Sequence, residues 1–199
     1  MPGPPYIVVI GGPNGAGKST IARSVVEKTF DIDEFVNADT IAAGLSAFNP
    51  GSSAFAAGRI MLDRLHQLAL ARVTFAFEST LASRSLAPWL ASQIALGYRV
   101  HIVYVSLRSS RLALARVRHR VRKGGHNVPG PIVKRRFHRS AANLFNLYLP
   151  LAVTWRIYDN SQLDPILIAE CDEHPGTRIH HPKRWNLLHD QASKASQDQ

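Results

Sequence analysis

The sequence predicts a three-layer α/β fold: a mainly parallel five-stranded sheet flanked by helices, with a small C-terminal hairpin. Three observations lead there. Apolar, β-branched runs alternate with segments of helical period from Tyr6 to Asp159, the pattern of strand–helix units feeding a parallel sheet. A glycine-rich loop separates the first run from the first helical segment. Two acidic residues, Asp39 and Glu78, stand just past the next two runs, at the strand ends where open α/β sheets bind ligands.

The first run, Tyr6-Ile7-Val8-Val9-Ile10, reads as a fully buried parallel strand. It leads into Gly12-Pro13-Asn14-Gly15-Ala16-Gly17-Lys18-Ser19, with Thr20 behind it. This fits G-x-x-x-x-G-K-[ST], the P-loop pattern. Glycines let successive backbone N–H groups turn inward and cradle phosphates. Lys18 can reach the β- and γ-phosphates as a mobile charge. The Ser19 hydroxyl is placed to ligate Mg²⁺. The helix predicted from Lys18 to Glu27 aims its positive end at the anion.

Phe35 and Val36 form the apolar part of a short second strand, and Asp39 follows it. Two readings of Asp39 stand: an N-cap for a helix over Thr40–Leu45, or a general base accepting a proton from a substrate hydroxyl near the γ-phosphate. Ser52 or Ser53 can cap a long helix that ends near Ala71. Val73–Phe77 is the third strand, followed by Glu78-Ser79-Thr80. Glu78 has the place of a carboxylate that holds Mg²⁺ through water. It could instead bind acceptor hydroxyls, or cap or pair locally.

A helix spans Arg84–Leu96, and Val100–Val105 is the fourth strand. Ser109–Arg122 is an arginine-rich helix with Arg116 and Arg120 on one face. It runs into Lys123-Gly124-Gly125-His126-Asn127-Val128-Pro129, the composition of a mobile lid near 123–130 hinged at Gly124 and Gly125, without apolar anchors. Ile132 to about Leu149 is one more helix, Trp155–Asp159 the fifth strand, and Ile166–Glu170 pairs back as a hairpin or edge strand. The domain then spans 1–175. Residues 176–199 read as a polar tail with a short helix over Lys183–His189 and disorder from Gln191.

Composition bounds the function. The 199 residues are 45% apolar, enough for one sizeable core. No run approaches the roughly 20 apolar residues of a membrane span. The N-terminus lacks a secretory pattern, and the single cysteine, Cys171, excludes an internal disulfide framework. A cytoplasmic enzyme with no membrane partner is the expectation. The formal charge is +10, and no acidic residue occurs from Arg99 through Arg139. Such a block suits either a nucleic-acid surface or arginines serving a nucleotide and a second phosphorylated substrate.

With these residues in view, the chain resembles the zeta-toxin-like family of P-loop kinases. The matching pieces are residues 12–20, Asn37-Ala38-Asp39, Phe77-Glu78-Ser79-Thr80, Arg116-Val117 with Arg120-Val121, residues 124–129, Arg135-Arg136 and Tyr158-Asp159-Asn160-Ser161. The resemblance implies a kinase that transfers phosphate from ATP or GTP, with Mg²⁺, to an alcohol group of a UDP-activated amino sugar. It implies Asp39 as the catalytic residue, Glu78 and Thr80 on the substrate side, Arg116 and Arg120 facing phosphate, and Asn160 near the nucleotide base. An antitoxin protein is the partner it implies. The family's longer C-terminal part is lacking here, and the lid loop holds no arginine, so Arg122, Lys123, Arg135 or Arg136 would substitute.

The leading reading is therefore a small-molecule kinase acting on a sugar or nucleotide sugar. A polynucleotide-end kinase is the alternative favoured by the basic block, although that block lacks interleaved aromatics for stacking bases. A nucleotide-binding regulatory module with little catalysis is the third. Asp39 argues against it, because a mere binder needs no base there.

Overall fold

The computed structural model describes residues 3–25, 30, 32–46, 53–125, 127–172 and 176–196. Its centre is β1 (Tyr6–Gly11), whose Ile7, Val8, Val9 and Ile10 are fully buried. Successive side chains point to opposite faces, so Ile7 and Val9 join one core while Val8 and Ile10 join a second. Strands buried on both faces need helices on both sides.

The other strands are β2 (Phe35–Val36), β3 (Phe75–Ser79), β4 (Arg99–Ser106), β5 (Thr154–Asp159), β6 (Ile166–Cys171) and β7 (Thr177–Ile179). They form one sheet in the order β2-β3-β1-β4-β5-β6-β7. The first five are parallel, and β6 and β7 run antiparallel at the far edge. The expected parallel sheet and hairpin are thus parts of a single seven-stranded sheet. The order reverses at β1, so a crevice opens beyond its carboxyl end.

The helices are α1 (Lys18–Val25), α2 (Ala38–Leu45), α3 (Ala54–Leu70), α4 (Leu86–Ala95), α5 (Ser110–Arg122), α6 (Gly130–Asn143) and α7 (Pro182–Ser193). Met61, Leu65 and Leu68 of α3 and Leu90 of α4 fill the first core. Ile21 of α1, Val117 of α5 and Val133 and Phe137 of α6 fill the second.

Four expectations change. The helix read as continuous to Leu149 ends at Asn143 and widens into a π turn over Leu144–Tyr148, then a 3₁₀ turn over Leu149–Leu151. Here Asn143 donates to the Leu81 carbonyl at 2.8 Å and the Tyr148 hydroxyl to the Ser83 carbonyl at 2.7 Å. The polar C-terminal stretch holds β7 and α7, and the residues read as disordered from Gln191 are helical as far as Ser196. Leu188 and Gln191 anchor them, both buried. The segment after α5 has an apolar anchor, since Val128 is buried in the second core. Finally, the amides of Gly124 and Gly125 donate to the carbonyls of Val121 and Arg120 at 2.9 and 3.0 Å, with Gly124 at φ +85°. That is a Schellman C-cap, which glycine favours because it has no Cβ. The two residues read as hinges are thus engaged as a helix stop, and His126 lies outside the described residues.

Candidate active site

Three strand ends build the site. β1 ends in the P-loop and α1. Its register sets Ile10 abreast of Glu78 and Gly11 abreast of Ser79 on β3. β2 lies beside β3 with Val36 abreast of Phe77, and Asp39 follows in the first turn of α2. Lys18, Ser19, Asp39, Glu78, Arg116 and Arg120 therefore face one cavity of about 870 Å³. Asn14, Gly15, Gly17, Thr20 and Thr80 also line it.

The P-loop is held from outside as well as by its own turns. Asn160, just past β5, donates from Nδ2 to the Ala16 carbonyl at 2.8 Å. A side chain at Gly17, whose φ is +87°, would collide with that amide. Lys18 Nζ donates to the Pro13 carbonyl at 3.2 Å. Burial pulls the Lys18 pKa down, against the opposing pull of the Glu78 and Asp39 carboxylates.

Ser19 Oγ donates to Glu78 Oε2 at 3.1 Å. Burial pushes the Glu78 pKa up, although Lys18 and the Ser19 hydroxyl favour the carboxylate. Glu78 Oε1 and Asn14 Oδ1 are buried with no hydrogen bond among the described residues. An orphaned buried oxygen is costly unless something else satisfies it. Ser19 and Glu78 together offer hard oxygen donors, the type Mg²⁺ takes, so the residues fit the cation.

Asp39 is not the cap of α2. Asn37 is: its Oδ1 accepts from the amides of Asp39 and Thr40 at 2.7 and 3.4 Å. The Asp39 carboxylate is left 58% exposed, and Arg120 Nη1 donates to its Oδ2 at 3.0 Å. Arg116 lies one turn earlier on α5, against the P-loop at Gly15.

The cavity includes groups that the sequence did not single out. Ser83 and Ser85 add hydroxyls to its wall. They sit on a loop fixed by Leu81, which is fully buried and holds φ at +52°, a strained value for leucine. The only sequence signal was the serine-rich run after Glu78. Arg136 of α6, given only as one of four substitutes for a lid arginine, also faces the cavity. Burial, then its neighbour Arg135, lowers its pKa. Four cations (Lys18, Arg116, Arg120, Arg136) thus meet two carboxylates (Asp39, Glu78), a balance that suits a polyanion.

A family model described as an AAA domain matches residues 7–144, more than half of the chain. The chain belongs to the AAA domain family. The matched span of this AAA domain carries every cavity residue named above, and it ends before Asn160. A relative from Haemophilus influenzae, described as an uncharacterized protein, is 32% identical over 126 residues, 63% of this chain and 88% of its own length. Among solved structures, the AvrRxo1-ORF1:-ORF2 complex with ATP matches at a TM-score of 0.75 and 14% identity over 94% of this chain. This chain covers 64% of that AvrRxo1 chain. The PezAT chromosomal toxin–antitoxin system of Streptococcus pneumoniae matches at 0.61 and 14% identity, over 96% of this chain and 87% of that one. At such identities the likeness concerns the fold, which is that of P-loop kinases. No helix among the described residues is long and apolar enough to cross a membrane.

Proposed function

We propose that this AAA domain is a small-molecule kinase of the zeta-toxin type, moving the γ-phosphate of ATP or GTP to a hydroxyl of a sugar or nucleotide sugar. The observation that carries this reading is Asp39. It shares a cavity with Lys18 and Glu78, yet Asn37 has taken the structural role Asp39 might have filled. A carboxylate released from capping and pointed at the phosphate site is available for proton transfer.

In the proposed reaction the P-loop amides and Lys18 hold the β- and γ-phosphates. The acceptor hydroxyl lies between Asp39 and the γ-phosphorus, with Thr80, Ser83 and Ser85 along its path. Asp39 takes the hydroxyl proton as the oxygen attacks phosphorus. The bond from the γ-phosphorus to the β–γ bridging oxygen breaks, and the nucleoside diphosphate leaves. Arg120 moves from Asp39 to the transferring phosphoryl group, where Arg116 and Arg136 add positive charge. Ser19 and Glu78 would hold Mg²⁺, which when bound neutralises phosphate charge. The neighbouring toxin–antitoxin structures support a second, protein partner for this chain as well.

Incubation with labelled ATP, Mg²⁺ and a panel of sugars, nucleotide sugars and oligonucleotides tests the reading, with the product identified by mass. A phosphorylated sugar or nucleotide sugar is expected. Label on oligonucleotide ends alone would transfer the assignment to a polynucleotide kinase, and no label on any acceptor would leave a nucleotide binder.

A further inference from the structure

The C-terminal helix lies outside the matched family span, yet it is bonded to the strand ends that shape the nucleotide site. Arg184 of α7 donates from Nη1 to Asp159 Oδ2 at the end of β5. Asp159 is almost wholly buried, with 6% of its side chain exposed. A buried carboxylate needs both a counter-charge and hydrogen bonds. Asp159 has them: its Oδ1 accepts from the Ser161 amide at 2.9 Å and from the Ser161 hydroxyl. The same hydroxyl accepts from the Arg108 amide at 2.8 Å. Between Asp159 and Ser161 sits Asn160. Its amide is tied to the Ser106 carbonyl at 3.0 Å, and its side chain holds the P-loop at Ala16. A second tie runs from Gln191, which donates to the carbonyls of Leu107 and Arg108, each at 3.1 Å.

We propose that Arg184 is a positioning residue for nucleotide binding: through Asp159 it fixes the turn that presents Asn160 to the P-loop. The C-terminal helix is then a latch on the phosphate site rather than an appendage. The P-loop itself explains why one is needed. Its amides point inward only while Ala16 and Gly17 keep their conformation, and the Asn160 amide packs directly on both. Asn160 cannot be steady unless the turn carrying it is. The Asp159 carboxylate braces that turn through Ser161, and its counter-charge among the described residues is Arg184.

This proposal rests on the nucleotide-site reading, so its test has one arm that needs no ligand. Hydrogen exchange of residues 13–17 is measured in the nucleotide-free protein, and Mg·ATP affinity by calorimetry. The variants are Arg184→Gln, Arg184→Lys, and Arg178→Gln as a control. Arg178 pairs with Asp172 and Glu170, level in the sheet with Arg156 and not with Asp159. In Arg184→Gln, exchange across the P-loop should quicken several-fold. Mg·ATP affinity should fall about tenfold, the scale of one charge-assisted hydrogen bond. Lysine at the position should restore most of both, and Arg178→Gln should move neither.

Unchanged P-loop exchange in a folded Arg184→Gln protein overturns the proposal. So does an equal effect from Arg178→Gln, or a lysine that restores melting temperature without restoring the P-loop. If Arg184→Gln does not fold, the pair Asp159→Asn with Arg184→Gln removes the stranded charge and is held to the same exchange result. If the wild-type protein binds no nucleotide, the kinase reading fails, and the exchange arm still decides the latch.

Discussion

The two walls of the cavity are built differently. The phosphate wall grows from the middle of the sheet: β1 is paired on both sides, its apolar residues are fully buried, and the loop beyond it is clamped by Asn160. The wall proposed for the acceptor grows from the edge. β2 has two residues and one neighbour, Phe35 is 40% exposed, and Asp39 sits on a capped helix turn with most of its carboxylate in water. A triphosphate looks the same in every such enzyme, so its cradle can be rigid and deeply embedded. An acceptor differs from enzyme to enzyme, and a wall of edge strand, serines and a helix turn can be altered without disturbing the core. Substitutions on the first wall should therefore act on nucleotide handling, and those on the second on transfer.

The largest effect should come from Lys18→Ala, which is expected to reduce phosphoryl transfer to background while the protein stays folded. Its stability should even change shape with pH. Burial lowers the Lys18 pKa below 10.5, so between that lowered value and 10.5 the unfolded chain binds the extra proton. Wild-type stability therefore gains from this group as pH rises through that window. Denaturant unfolding across alkaline pH should show the gain in wild type and lose it in Lys18→Ala.

Glu78→Gln comes next. Mg·ATP affinity should drop about tenfold, the lower end for a group that holds a metal through its outer shell. Stability should move the other way. The Glu78 pKa is raised above 4.5, so the folded protein binds more protons in the window above 4.5, and stability from this group declines as pH rises through it. The glutamine variant escapes that decline and should melt higher at neutral pH. A variant both less stable and weaker in binding would contradict the claim that Glu78 is kept for the ligand rather than for the fold.

The smallest effect sharpens the acceptor wall. Asn37→Ala removes the α2 cap and should cost about 1 kcal/mol, seen as a melting shift of about 2–4 °C in a chain of this size. Asp39→Asn should leave the melting temperature where it is.

The same contrast decides what could be read from the sequence. The P-loop was legible because phosphate binding uses contiguous residues, between a strand and a helix that are each strongly patterned. The sheet core followed from the β-branched runs. Asp39 could be found but not resolved: Asn37 and Asp39 are both good capping residues, and only the start of the helical turn at Ala38 shows which one caps. Arg136 and the serines at 83 and 85 reach the cavity through the packing of α6 and the strained loop at Leu81, which no local pattern encodes. The π turn at Leu144–Tyr148 has no propensity signature, because its residues would suit an ordinary helix equally well. The C-terminal helix is legible over Lys183–His189, but its continuation to Ser193 is not. Past His189 the helix is held by the side chain of Gln191, bonded to the Leu107 and Arg108 carbonyls, so the hydrophobic period that announces other helices is faint there.

If Asp39 acts on transfer and not on nucleotide binding or folding, Asp39→Asn separates the two in one protein through ATP affinity by calorimetry and phosphorylation of the acceptor found in the panel. Asparagine keeps the shape and cannot take the proton. ATP affinity should be nearly unchanged and turnover should fall about a hundredfold or more, roughly 3 kcal/mol of barrier. Full turnover in Asp39→Asn would rule out Asp39 as the base. A parallel loss of Mg·ATP affinity would place Asp39 with Glu78 at the cation instead.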